Sequence, residues 1–64
     1  MIRVIWQGKE RDIDKDRIKI KELLKEFGVL PEVVVVARNG EVVTEEEFAE
    51  SGDEVQIIRA ISGG

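Results

Sequence analysis

The residues of this chain whose types most clearly suggest chemistry are the last two, Gly63 and Gly64. Neither carries a Cβ atom, so together they form a narrow segment that adopts backbone angles closed to other residues and can pass through a confined channel. A flexible end or a remnant of expression would show the same two glycines. The interpretation of this segment therefore depends on what the rest of the chain builds to position it.

The rest of the sequence offers no residues for catalysis or metal binding. It contains no Cys and no His, which excludes thiol and imidazole chemistry and the usual ligands of zinc. Ser51 and Ser62 have no visible base beside them, and no pair of carboxylates has a defensible spacing for acid–base work. The alternation of Asp12, Asp14 and Asp16 lacks the glycine and the final glutamate of a calcium-binding loop. We therefore expect a protein that is not an enzyme and binds neither a metal nor a cofactor itself.

Composition restricts the class of protein further. The 64 residues suffice for one small domain, and 42% hydrophobic with 38% charged residues is typical of an apolar core under a charged surface. The longest apolar run, 33–37, is far shorter than the roughly 20 residues of a membrane span, and the amino terminus is typical of a strand rather than of a signal peptide. We expect a cytoplasmic monomer with no membrane contact. The net charge of −4 disfavours direct nucleic-acid binding and favours a basic protein partner.

The first 14 residues have the pattern of a hairpin. Residues 2–7 alternate as a strand that turns three side chains inward and Ile5 outward. The inward residues are Ile2, Val4 and Trp6. Gly8 marks a turn, and the heavily charged residues 10–14 are typical of a returning strand at a sheet edge, where charge discourages intermolecular pairing.

A helix follows the hairpin. Apolar residues recur at positions i, i+3, i+4 and i+7, namely Ile20, Leu23, Leu24 and Phe27. This stripe predicts a helix over 18–27 with one buried face. Gly28 is a favourable helix end because the next position often needs a left-handed backbone, and Pro31 prevents continuation.

A second hairpin is the strongest local prediction in the chain. The β-branched run 33–37 is too short for a helix, and Asn39-Gly40 follows it. Asn-Gly between two apolar runs favours a type I′ turn, with Val42 and Val43 on the returning strand.

The last third of the chain predicts a short helical turn and a strand. Residues 44–47 have the capping-box pattern, which predicts one helical turn over 45–49 with Phe48 as its core anchor. After a turn at 51–53, residues 54–60 alternate as a strand that is apolar on both faces. Such a strand belongs in the middle of a sheet.

These elements together predict an α+β architecture. One main helix covers one face of a mixed four- to five-stranded sheet, because a single apolar stripe needs a single surface on which to be buried. With the final strand beside the first, this arrangement is the β-grasp. We assign 1–60 to this domain and 61–64 to a flexible Gly-Gly tail.

An apolar patch on the outer side of the last strand is a candidate partner surface. Its residues are Ile5, Gln56, Ile58, Arg59 and Ala60. An exposed apolar patch beside a functional tail often marks a binding site, whereas isolated surface isoleucines need no explanation.

The chain resembles the ubiquitin-like sulfur carriers over its whole length. The resemblance is carried by IKELL at 20–24, FGV at 27–29, VVARNGEVV at 35–43 and GDEVQIIRAISGG at 52–64. This family includes the thiamine-pathway carrier, the small subunit of molybdopterin synthase and carriers for tRNA thiolation. The chain lacks the aromatic and proline residues typical before the glycines of the molybdopterin-synthase subunits, which favours the thiamine and tRNA 2-thiouridine pathways.

The resemblance implies how the tail would work. An E1-like adenylating enzyme uses ATP to adenylate the carboxylate of Gly64, and a persulfide sulfur then displaces AMP. The resulting thiocarboxylate passes its sulfur to a sulfur-accepting biosynthetic enzyme. Gly63 would enter the channel of the partner, with Ile61 and Ser62 as the stem that docks along it.

Two other functions share the same features. A ubiquitin-like protein modifier would be conjugated to lysines through Gly64, and an interaction module would carry the glycines incidentally. A Gly-Gly remnant on target lysines would indicate the modifier. Partner interactions and a cellular phenotype that are unchanged on deletion of Gly64 would indicate the interaction module.

Overall fold

The computed structural model describes residues 1–60, and these form seven strands, one α-helix and one 3₁₀ turn. In chain order they are β1 Ile2–Trp6, β2 Lys9–Ile13, β3 Arg17–Lys19, α1 Ile20–Glu26, the 3₁₀ turn Pro31–Val33, β4 Val34–Arg38, β5 Glu41–Val43, β6 Phe48–Glu50 and β7 Glu54–Arg59. No helix within these 60 residues is long and apolar enough to cross a membrane.

A five-stranded mixed sheet organises the fold. Its strand order is β2-β1-β7-β4-β5, in which β1 and β7 are parallel and the other neighbours are antiparallel. The final strand is therefore central and lies beside the first, and the charged β2 lies at an edge, as predicted. Strands β3 and β6 form a separate two-stranded antiparallel sheet.

The core lies between α1 and one face of the large sheet. The helix buries its predicted stripe at Ile20, Leu23 and Leu24, and the large sheet contributes three valines of β4 and β5 together with residues of β1 and β7. The buried residues of β1 and β7 are Ile2, Val4, Val55 and Ile57. The predicted β-grasp, with one helix on one face of a mixed sheet, is confirmed.

Both predicted hairpins form with left-handed turn residues. Asn39 and Gly40 have φ values of 51° and 86°, as a type I′ turn requires. The first hairpin turns at Gln7 and Gly8, with φ values of 53° and 76°. Strand β1 therefore ends one residue earlier than predicted, and β2 is displaced by one residue from 10–14.

The end of α1 is a Schellman motif. Gly28, at φ 69°, donates its N–H to Lys25 O, and Val29 donates to Leu24 O. These two bonds satisfy carbonyls that the last helical turn leaves without partners. The predicted helix stop at Gly28 is confirmed.

The predicted helix start was two residues too early. Residues 17–19 are strand β3, and Ile18 packs opposite Ala49 of β6. The first helical N–H groups, those of Ile20 and Lys21, donate to Glu47 O and Glu45 O. Because the loop before β6 caps the helix through its backbone, α1 can begin directly after a strand.

The predicted helical turn over 45–49 was also wrong. The Glu47 Oε2 accepts from the Thr44 N–H, as in the expected motif, but the Glu47 N–H donates to the backbone carbonyl of Thr44, which closes a single turn. The chain then extends as β6. Phe48 is exposed rather than a core anchor, with the Arg17 guanidinium 4.0 Å from its ring centroid, and Ala49 takes the buried position.

Candidate functional site

The described part of the chain ends directly after the central strand. Ala60 donates its N–H to Val33 O at 3.0 Å, which extends the pairing of β7 with β4 by one residue. Val55 and Ile57 bury the inner side of β7 beneath α1. Residue 60 is therefore held by backbone hydrogen bonding at the end of the central strand.

The residues predicted to act in the tail lie outside the described residues. They are Ile61, Ser62, Gly63 and Gly64. Their roles as stem, channel segment and site of adenylation stay predictions.

Four of the five predicted patch residues lie on the outer face of the sheet. Ile5 pairs with Gln56 across β1 and β7, and Ile58 pairs with Val35 across β7 and β4. Because cross-strand partners point to the same side of a sheet, Ile5, Gln56 and Ile58 share the face turned away from α1. Ala60 follows on the same side by alternation. Ile58 is 45% exposed, a large fraction for an isoleucine.

Arg59 is the exception among the five. It pairs with Val34, a buried residue, and so projects from the side of the sheet that carries the core. It is exposed because it lies at the end of that side. The period-two pattern of β7 already carried this information, since Arg59 follows Val55 and Ile57 on the inner side.

The structure adds residues of β4 and β5 to the outer face. Val35 and Ala37 lie beside Ile58 and Gln56, and Val42 pairs with Ala37. Val42 is 72% exposed. We name the face formed by Ile5, Val35, Ala37, Val42, Gln56, Ile58 and Ala60 the outer apolar face. Its β4 and β5 members were missed because their sidedness depends on strand register, although the two-sided apolar run of β4 was a signal for it.

Charge on the outer side of the sheet is concentrated away from Ala60. Arg3 lies between Glu10 and Glu54, at 3.6 Å and 3.8 Å from their carboxylates. Glu54 begins β7, whereas Ala60 follows its end. The half of the outer apolar face nearest the end of β7 is therefore free of ion pairs among the described residues, which suits contact with another apolar surface.

The carboxyl groups with shifted pKa values support the fold rather than a reaction centre. The Asp53 carboxylate accepts hydrogen bonds from the Glu50 N–H and from Asn39 Nδ2, and these lower its pKa. The hydrogen bond and charge of Lys19 lower the pKa of Glu46. Asp53 precedes β7, whereas Ala60 follows it. Within residues 1–60, no cluster of three acidic, His or Cys residues could hold a metal ion.

The chain has close relatives among known families and proteins. The family model described as the ThiS family matches residues 4–64. The sulfur carrier protein TtuB of Thermus thermophilus is 38% identical over 58 residues, which cover 91% of this chain and 88% of TtuB. An uncharacterized protein of Archaeoglobus fulgidus is 38% identical over 59 residues, which cover 92% of this chain and 87% of that protein.

Solved structures show the same fold. The crystal structure of the thiamine biosynthesis protein ThiS of Geobacter metallireducens matches with a TM-score of 0.70 at 28% identity, covering 97% of this chain and 99% of that one. The solution structure of a thiamine biosynthesis protein of the same organism matches with a TM-score of 0.66 at 29% identity, covering 97% of this chain and 87% of that one.

Proposed function

The chain belongs to the ThiS family and is a sulfur carrier protein rather than an enzyme, and from this we propose that it carries sulfur as a thiocarboxylate on Gly64. The observation that carries the proposal is that the family match extends through residue 64. The fold supports it, because Ala60 is hydrogen-bonded at the end of the central strand. Four residues then separate a rigid domain from the proposed reacting group.

The proposed chemistry needs a partner at every step. A terminal carboxylate, with a pKa of about 3.5, is ionised at neutral pH and is a poor electrophile. An E1-like enzyme would transfer AMP from ATP to this carboxylate and release pyrophosphate. A persulfide sulfur of a partner then displaces AMP, and cleavage of its S–S bond by a thiol releases the thiocarboxylate. The carrier contributes the acyl group and the Cβ-free stem, which can enter a narrow channel.

The outer apolar face is the proposed docking surface for this enzyme. It is continuous across β1, β7, β4 and β5, and its uncharged end lies beside Ala60. A partner that binds there would meet the tail where it leaves the sheet. Burial of exposed apolar residues such as Ile58 and Val42 would stabilise the complex.

The acceptor of the sulfur is proposed to be an enzyme of thiamine biosynthesis or of tRNA 2-thiouridine formation. The fold match to a thiamine biosynthesis protein supports the first pathway, and the resemblance of the sequence to tRNA-thiolation carriers supports the second.

The test is intact-mass analysis after incubation with ATP, a persulfide donor and the E1-like enzyme of the same host. We expect replacement of one oxygen by sulfur, located on Gly64 by fragmentation. Gly64→Ala should fold normally and lose at least about tenfold in adenylation rate, because a misplaced reacting group is costly. Asp14→Ala, a change at an exposed site, is the control. Wild-type protein that forms no acyl-adenylate with any such enzyme would contradict the proposal.

A further inference from the structure

A groove runs along the edge of the large sheet where β5 is shorter than β4. It has a volume of about 260 Å³, and its lining includes Leu24, Pro31, Val34, Val36, Val43 and Glu45. The other lining residues are Val35, Val42 and Thr44, so Thr44 and Glu45 are the two polar members of an otherwise apolar lining. The groove shares Val35 and Val42 with the outer apolar face and extends from that face around the sheet edge toward Leu24 of α1.

The groove exists because β5 stops early. The β4–β5 pairing ends at Val36 with Val43, so Val34 and Val35 have partners only in β7. An extended segment could continue the sheet at this position, as in other complexes in which a peptide adds to a strand edge.

The backbone of Val34 presents an acceptor to the groove. Asn39 N–H donates to Glu54 O, and Ala60 N–H donates to Val33 O, so the odd-numbered residues of this strand direct their backbone groups toward β7. By alternation, Val34 directs its groups toward the open edge. Its N–H donates to Pro31 O, whereas no backbone donor of the turn before β6 reaches its carbonyl in the described part of the chain.

The charge at the groove is acidic. Glu45 lines it and takes part in none of the ion pairs among residues 1–60, whereas its neighbour Glu46 is bound to Lys19 at 3.0 Å. The groove lining contains no basic residue. A ligand that brings a cation to this end would gain electrostatic complementarity.

The groove opens beside the end of β7. Val33, whose carbonyl accepts from Ala60 N–H, directly precedes Val34. A protein that takes hold of the residues after 60 must therefore pass close to the groove. The position of the groove beside Ala60 and the carboxylate of Glu45, which has no ion-pair partner among residues 1–60, favour the tail-binding partner as the occupant.

We propose, on the basis of the proposed function, that this groove binds an extended segment of the activating enzyme. An aliphatic side chain of that segment packs against Leu24, Pro31 and Val36. A backbone N–H of the segment donates to Val34 O, and a Lys or Arg next to it pairs with Glu45. The groove thus adds a second contact to the one on the outer apolar face.

The first test is a charge reversal with a matched control on the same strand edge. Glu45→Lys should raise the Kd for the E1-like enzyme, measured by calorimetry without ATP, by about 5- to 10-fold at low salt, and less at high salt. Glu41→Lys makes the same charge change at the opposite end of β5 and should stay within about twofold of wild type. Thermal unfolding of both variants verifies that they are folded.

The second test uses the absence of native cysteine. Thr44→Cys places one thiol at the groove, and a bulky maleimide on it should abolish measurable binding of the full-length chain to the enzyme. Asp14→Cys with the same label is the control and should bind as the wild type does, because it lies in the exposed link between β2 and β3.

The outcomes separate this inference from the function on which it rests. If the wild type is adenylated normally and Glu45→Lys and Glu41→Lys have equal Kd values, the groove proposal is wrong and the proposed function stands. A concentration-dependent dimer that the Thr44 label disrupts also overturns the groove proposal, because the occupant is then a second copy. A wild type that is never adenylated rejects the proposed function, and the groove assignment with it.

Discussion

At the scale of single residues, Asn39 makes the largest number of distinct contributions. Its backbone has the left-handed φ of the turn, its Nδ2 donates to Asp53 Oδ1 at 2.9 Å, and its Oδ1 accepts from Glu54 N–H at 2.9 Å. Asparagine tolerates this backbone region better than most residues. Asn39 therefore forms part of the β4–β5 turn with its backbone and ties that turn to the residues before β7 with its side chain.

Asn39→Ala should lower the free energy of unfolding by about 1–3 kcal/mol, because it loses two hydrogen bonds and strains the turn. Asn39→Gly keeps the backbone conformation and should lower the free energy of unfolding by a smaller amount. Urea denaturation of both variants measures the difference. Equal losses would mean that the backbone angle contributes nothing beyond the side-chain hydrogen bonds.

Asp53 predicts a pH dependence of stability. Its pKa in the folded protein lies below the ordinary value of 3.8 because the Glu50 N–H and the Asn39 amide bind the charged form. The contribution of Asp53 is therefore present above the unfolded pKa and is lost as the pH falls through the folded pKa. Asp53→Asn should lose less stability than wild type between about pH 5 and about pH 2. Parallel stability curves in that range would rule out this role.

At the scale of elements, the two-stranded sheet of β3 and β6 explains where α1 begins. Each strand has three residues, and their pairing places Ile18 opposite Ala49 inside the core. The first two N–H groups of the helix donate to carbonyls of the loop before β6. Neither strand is long enough to show a period of its own, so the helical spacing around them dominated the sequence pattern.

Ile18→Ala should lower the free energy of unfolding by about 2–4 kcal/mol, since it removes a buried side chain and leaves a cavity. Phe48→Ala should cost less than about 1 kcal/mol, because the ring is exposed and contacts mainly Arg17. Chemical denaturation compares the two. A larger loss for Phe48 would restore it as the core anchor.

At the scale of the whole molecule, the fold separates packing from recognition. One side of the sheet is covered by α1, and the other carries the outer apolar face. The parallel pair β1–β7 places the amino terminus beside the start of β7, since Arg3 N–H donates to Asp53 O and Gly52 N–H donates to Met1 O. The end of β7 lies at the opposite pole from these contacts, where a partner has free approach.

Ile58→Asp should weaken binding to the E1-like enzyme at least about tenfold, because it places a charge in the centre of the proposed apolar contact. Ser51→Asp, in the exposed turn before β7 at the opposite pole, is the control for added negative charge. Titration calorimetry without ATP measures both. Equal affinities for wild type and Ile58→Asp would remove the outer apolar face from the docking proposal.

The sequence by itself determined most of the fold because its strongest signals are local. The Asn39-Gly40 turn, the stripe of α1 and the stop at Gly28 each follow from steric rules that act over a few residues. The two-sided apolar character of β7 predicted its central position. The motifs from 20 to 64 were sufficient for the family resemblance, which the comparisons confirm.

Only the tertiary structure decided the features that depend on contacts between distant residues. The β3–β6 pairing joins residues about thirty positions apart, and such a pairing leaves no periodic trace in three-residue strands. Val35, Ala37 and Val42 join the outer apolar face through strand register, and the groove beside Val34 exists because β5 is short. The role of Gly63 and Gly64 remains a prediction from the sequence. The structure determines the position of Ala60, which the packing of β7 holds in place.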